Sequence, residues 1–164
     1  MVLKNWLNTA TRNSDTFTPL HFASYHGNLT LIRLFIKHGA DMHVHNRTGV
    51  NMIHVAAQGD QPVSIIYFAE KGLEIDTCDR SNRTAMHHAS MFGCEVAACY
   101  LISMGAYVNP KDSEGETPLH WAVKNYMNYP NMDCIKKLLL NGAEREAYNK
   151  DGLRPIDYLE RINQ

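Results

Sequence analysis

One short pattern returns four times at a constant interval, and that interval restricts the possible fold more than any other feature of the 164 residues. It reads TPLHFA, NMIHVA, TAMHHA and TPLHWA. His21, His54, His87 and His120 lie 33 residues apart, as do Thr18, Asn51, Thr84 and Thr117, and Ala23, Ala56, Ala89 and Ala122. Gly39, Gly72 and Gly105 each follow their histidine by 18 residues, whereas Gly142 follows by 22, so the fourth unit has gained four residues. Self-similarity at such a period marks a stack of supersecondary units, none of which can bury its own apolar faces alone.

The residues within each unit predict two short helices and a loop. Thr18 and Thr117 are suited to N-cap a helix whose first position is Pro19 or Pro118. Gly27 and Gly93 suit a left-handed turn that ends it. A second helix follows, with apolar residues in matched columns: Ile32, Ile65, Ala98 and Ile135, then Phe35, Phe68, Leu101 and Leu138. These columns are the expected core. Stretches such as GADMHVHNRTG and GAYVNPKDSEG are polar and turn-rich, and are expected to project as hairpin-like loops.

The period and the Thr-Pro-Leu-His-x-Ala opening resemble the ankyrin repeat. The match is full at residues 18–23 and 117–122 and partial in the other two units. The resemblance implies an all-α ankyrin-repeat solenoid of helix-turn-helix units with hairpin-like loops. Full repeats are expected at 16–48, 49–81, 82–114 and 115–151, with a partial repeat at 1–15 and a capping partial repeat at 152–164. Val2, Leu3 and Asn13 fall under Phe35, Ile36 and Asn46 of the next unit, so the first 15 residues read as the tail of an earlier repeat in a longer protein.

Composition narrows the class of function. With 45% apolar residues, and 16 Lys+Arg against 17 Asp+Glu, the chain is neither a disordered polymer nor a basic nucleic-acid binder. No run approaches the ~20 apolar residues of a membrane span, and the first residues lack the apolar core of a signal peptide. Cys78, Cys94, Cys99 and Cys134 form no Cys-x-x-Cys pair, which fits a reducing cytoplasmic setting. Cys99 is expected to be buried filler. The repeat histidines are expected to hydrogen-bond neighbouring backbone turns, since a solenoid lays them out in a row and does not converge them on a metal. No nucleophilic triad or phosphate loop is legible, and no cofactor is expected.

What remains is surface. In ankyrin-like arrays partners meet the concave face, made of the loop tips and the exposed side of each first helix. The variable columns place Ser14, Asp15, Phe17, Tyr25 and His26 there from the first unit, and Arg47, Thr48, Val50 and Gln58 from the second. The third contributes Arg80, Ser81, Arg83, Met91 and Phe92, and the fourth Ser113, Glu114, Glu116, Lys124 and Asn125. Tyr25, Met91 and Phe92 read as partner anchors. Trp121, with Tyr126 and Tyr129 of the four-residue insertion beside it, is the sharpest candidate for gripping an extended peptide.

The segments FTPLHFASYHGN, HVAAQGDQP, TPLHWAV and GLRPID are similar to the ankyrin domains of ankyrin-repeat protein S-acyltransferases. That resemblance implies the cytosolic, substrate-recruiting part of a larger membrane palmitoyltransferase. Acyl transfer there belongs to a separate Asp-His-His-Cys module, whereas His87-His88 is followed here by Ala89-Ser90. Some members clamp substrate with the Trp of TPLHWA and an Asn from the preceding repeat; Trp121 matches the first, and Phe92 stands at the second position. The expected function is therefore a non-catalytic, monomeric protein-interaction module. The alternative is the scaffold domain of an unrelated ankyrin protein such as a channel or cytoskeletal adaptor.

Overall fold

The computed structural model describes residues 6–11 and 16–162, with side chains as far as Leu159. Val2, Leu3, Asn13, Ser14 and Asp15 lie outside the described residues. Four helix pairs follow one another: α1 (Pro19–Tyr25) with α2 (Leu29–Lys37), α3 (Met52–Gln58) with α4 (Pro62–Glu70), α5 (Ala85–Met91) with α6 (Glu95–Ser103), and α7 (Pro118–Lys124) with α8 (Met132–Leu140). A last helix, α9 (Asp157–Ile162), packs on α7. No strand occurs among the described residues, so the architecture is an all-α solenoid.

Local chemistry starts and stops each helix. Thr18, Asn51, Thr84 and Thr117 take extended backbone at the N-caps, and each completes a capping box with the histidine three residues on. Gly27 and Gly93 turn the chain at a φ of 65°. In the second pair the same column holds Asp60 at a φ of 54°, a conformation that Asp tolerates better than most residues. Its carboxylate accepts from the Ala97 amide at 2.7 Å, so it caps α6 of the next pair. Asn131 caps α8 directly, closing the seven-residue loop 125–131 that the insertion lengthens.

Packing runs in two rows. The first helices stack α1 on α3 on α5 on α7, and the second helices α4 on α6 on α8. Leu20, Ile53, Met86 and Leu119 fill the inner row, none more than 3% exposed, while Ile32, Ile65, Ala98, Phe68, Leu101 and Leu138 are fully buried in the outer one. Two expected core residues differ: Phe35 and Ile135 are only partly buried. Phe35 meets Trp6 edge-on with ring centroids 6.2 Å apart, and Ile135 lines an open cavity with Val123, Tyr126 and Leu159. Cys99 is likewise half-exposed, and the buried thiols are Cys94 and Cys134, both pushed up to about 12 by burial.

The loops are tied tip to tip. The Arg80 amide donates to the Thr48 carbonyl at 2.8 Å, Ser113 to Ser81 at 2.9 Å, and Lys150 to Glu114 at 2.9 Å. Among the described residues no helix is long and apolar enough to cross a membrane.

Candidate functional site

The floor beneath the candidate surface is built by the repeat histidines, none more than 1% exposed. At His21 the backbone N–H of Thr18 donates to Nδ1 at 3.1 Å, and Nε2 lies 3.3 Å from the Val50 carbonyl of the next pair. An N–H can only donate, so Nδ1 carries the lone pair and Nε2 the proton. His54 repeats this between Asn51 and Arg83, His87 between Thr84 and Glu116, and His120 between Thr117 and Leu153. Burial lowers His21, His54 and His87 to about 4 from an ordinary 6.5. These side chains are neutral struts from one helix pair to the next.

Above that floor, one carboxylate or amide brackets each loop tip. Oδ1 of Asn46 accepts from the amides of Thr48 and Val50, and Asp79, Asp112 and Asn149 accept from the equivalent pairs, all at 2.8–3.0 Å. The second side-chain atom of each bracket beyond the first bonds a further side chain. Asp79 Oδ2 receives His88 Nε2 at 3.1 Å, and His88 Nδ1 meets the Gln58 amide at 2.7 Å. Burial pushes the Asp79 carboxyl up, but the bonds from His88 and the Arg83 and Ser81 amides outweigh it and hold it at about 2.

Trp121 sits one pair further along. Its indole N–H donates to Asp112 Oδ2 at 3.0 Å, and the same oxygen takes Arg83 Nε at 3.3 Å. Arg83 lies 4.4 Å from the indole ring centroid and Lys124 4.8 Å. The ring is thus held between two cations. Burial works against the Asp112 charge, yet the bond from Trp121 and those from the backbone amides of Glu116 and Glu114 keep its carboxyl below the ordinary value. Lys124 reaches Glu116 Oε1 at 3.5 Å, where the Asn149 amide and the Tyr158 hydroxyl also donate. Burial, and then this bond, push the Tyr158 phenol up.

The other end of the groove is apolar. Phe17, His21, Phe22, Tyr25, His26, Val55 and Gln58 line an open cup of about 260 Å³, with Phe22 47% and Tyr25 43% exposed. Four expected contact residues, Phe17, Tyr25, His26 and Gln58, therefore converge. Arg83, Lys124 and Trp121 form a second group, and Asn125 ends α7 with its amide on the Trp121 carbonyl at 3.2 Å. Arg47 and Arg80 are exposed at the loop tips, and Met91 is half-buried on α5.

The grouping of Trp121 with Tyr126 and Tyr129 does not form. Tyr129 packs edge-on to Phe92 at 5.3 Å, and Phe92 is partly buried against the core. Tyr126 lines a different cavity, with Val123, Met132, Ile135 and Leu159. The insertion lengthens the chain between α7 and α8, so its tyrosines lie against the helix ends and not along the row of first helices. Phe22, Asp112 and Tyr158 were not among the sequence candidates. Phe22 shares a column with Val55, His88 and Trp121, a signal that was present but overshadowed by the adjoining histidines.

Trp121 carries structural and surface roles together. Trp121→Phe is expected to lower unfolding free energy by about 1–2 kcal/mol, because Asp112 loses a buried donor. Trp121→Ala is expected to cost about 3 kcal/mol or more. Urea midpoints at constant slope read both values.

A stack of capped helix pairs, strutted by histidines and bracketed at its loop tips, defines a repeat protein of the ankyrin class. The family model described as ankyrin repeats (3 copies) matches residues 2–77, 20–112 and 54–151, and the chain belongs to that family. Over 33 residues it is 54% identical to ankyrin repeat domain-containing protein 49 of Bos taurus, covering 20% of this chain and 14% of that protein. Over 50 residues it is 40% identical to the Notch-regulated ankyrin repeat-containing proteins of Xenopus tropicalis and Homo sapiens, covering 30% of this chain and 44% of theirs. The matched stretches thus span less than half the length of these relatives. Ankyrin repeats indicate a protein–protein interaction module.

Proposed function

We propose that the chain is a non-catalytic, monomeric cytoplasmic module that binds a protein partner along the concave face. The observation that carries this reading is the division of that face into an apolar cup at α1 and α3 and a cation-flanked indole at α5 and α7. An extended segment with an apolar anchor at one end and a carboxylate towards the other complements both. The test is a random-peptide display selection on the immobilised chain. Selected peptides are expected to lose about tenfold or more in affinity on Phe22→Ser and on Arg83→Gln, measured by titration calorimetry. Peptides that bind both variants as tightly as the parent would remove the concave-face reading.

The finer assignment, a substrate-recruiting region of a palmitoyltransferase, is supported by the HVAAQGDQP and TPLHWA segments. The relatives above are named as ankyrin repeat proteins and lend it no support. Trp121 further departs from a peptide clamp, since its N–H is spent on Asp112 and cations flank its ring. An Asp-His-His-Cys segment between apolar spans in the same gene is the observation that would sustain it; a scaffold or adaptor domain is the reading that follows without one.

A further inference from the structure

The second helices face away from the groove, and their outward surfaces are unequal. Those of α2 and α8 mix exposed apolar residues, Leu31, Leu34, Met132 and Leu140, with cations, Arg33 and Lys37 on α2 and Lys136 and Lys137 on α8. Those of α4 and α6 are apolar where solvent would favour charge: Val63 is 49% exposed, Val96 and Tyr100 each 42%, and Ile66, Tyr67 and Cys99 are half-exposed. Val63 with Tyr67, and Val96 with Tyr100, stand four residues apart on one helix face, and the same columns recur in both pairs. A helix that is apolar on its outward side as well as its core side is normally covered. Contiguous exposed patches of this kind mark interaction sites.

We infer that this outer surface is a second docking site, for an amphipathic helix of a partner protein that bears acidic residues near both ends. The charges choose the occupant. Read across the four pairs, one column runs Arg33, Ile66, Cys99, Lys136 and the next Leu34, Tyr67, Tyr100, Lys137. Cations therefore border an apolar centre on both sides. Arg33 and Lys71 each stand 5.9 Å from the Tyr67 ring centroid, adding positive charge at one border. The acidic groups are fewer: Asp133 is paired with Lys136 at 2.9 Å, and Glu70 and Glu95 lie at the ends of α4 and α6.

A second copy of the chain is a poorer occupant. A two-fold pairing through the apolar centre sets Arg33 and Lys37 against basic residues of the other copy in either orientation. With helix axes about 8–10 Å apart, the basic borders are roughly 25–30 Å from each other. That is the length of a helix of about 20 residues.

The test uses two synthetic fluorescent peptides of about 20 residues with the same leucine stripe, one ending in glutamates and the other in lysines. Fluorescence anisotropy is expected to show the glutamate-ended peptide binding about tenfold or more tightly. The doubly substituted Val96→Asp, Tyr100→Asp chain is expected to lose that binding, and the Arg33→Glu, Lys137→Glu chain to prefer the lysine-ended peptide. All four positions are at least partly exposed, so circular dichroism is expected to be unchanged; if α6 is disturbed, Val63→Asp on α4 serves instead. Phe22→Ser, which tests the concave face, should leave this binding intact. Equal affinity for the two peptides, binding of neither, or retained binding by the Val96→Asp, Tyr100→Asp chain overturns the inference. So does sedimentation of the free chain as a dimer that the same variant splits.

Discussion

Between pH 6.5 and 4 the protein is expected to lose stability at about 4 kcal/mol per pH unit. Three buried histidines set that slope. His21, His54 and His87 have their folded values lowered to about 4, whereas the unfolded chain titrates them near 6.5. Folded values below unfolded ones give stability that is complete above pH 6.5 and is lost as pH falls towards 4, because the unfolded chain then takes up protons that the folded chain refuses. Burial is the main cause of the refusal, since a charged imidazolium would sit away from water. Asp79, held at about 2 against an ordinary 3.8, adds a second and lower window. Down to pH 4 the histidines account for about 10 kcal/mol, comparable with the roughly 5–15 kcal/mol of an ordinary domain, so most of the unfolding falls before that second window. Urea midpoints between pH 8 and 5 measure the slope, and a change of less than one proton on unfolding would refute the strut assignment.

The struts also show how far the sequence could be read. Period, caps and the alternation of helix and loop were legible because each repeats, and repetition turns a weak local preference into a column. The histidines were legible as hydrogen-bonding residues for the same reason. What the columns could not supply was direction across the stack. Asp60 stands in the column of Gly27 and Gly93, and its carboxylate caps α6 by accepting from Ala97, 37 residues away. Trp121 was legible as important, but not as a ring already flanked by Arg83 and Lys124, since those partners come from the previous pair and the next turn. Phe35 and Ile135 failed as core residues because a column assumes identical neighbours, whereas Phe35 meets the edge of Trp6 and Ile135 borders an open cavity. The groove itself combines different residues at each level, so periodicity located its positions without revealing its chemistry.

Gly59→Ala is expected to destabilise the chain by about 3 kcal/mol, a larger cost than the same change at Gly27. Gly59 lies at a φ of −88°, where any residue is comfortable, so torsional strain is not the cause. A Cβ there would overlap the Tyr25 carbonyl oxygen, with the Tyr25 carbonyl carbon at 2.9 Å and Cα at 3.3 Å, all backbone atoms of the preceding pair. Backbone cannot swing aside as a side chain can. At Gly27, by contrast, the added carbon meets the Gln61 side chain, which can turn aside by giving up its hydrogen bond to the Gly59 carbonyl, and the left-handed φ of 65° adds about 1 kcal/mol. The column equivalents of Gly59 are His26, Phe92 and Asn125, so family resemblance would pass the substitution as harmless. In a solenoid whose pairs touch only their neighbours, the damage falls on the α1–α3 interface. Hydrogen exchange is therefore expected to quicken in α1 and α2 while α5 to α8 keep their protection. The apolar cup, which draws Phe22 and Tyr25 from one side of that interface and Val55 and Gln58 from the other, would be lost with it. Uniform loss of protection along the whole stack would show instead that the pairs unfold as one unit.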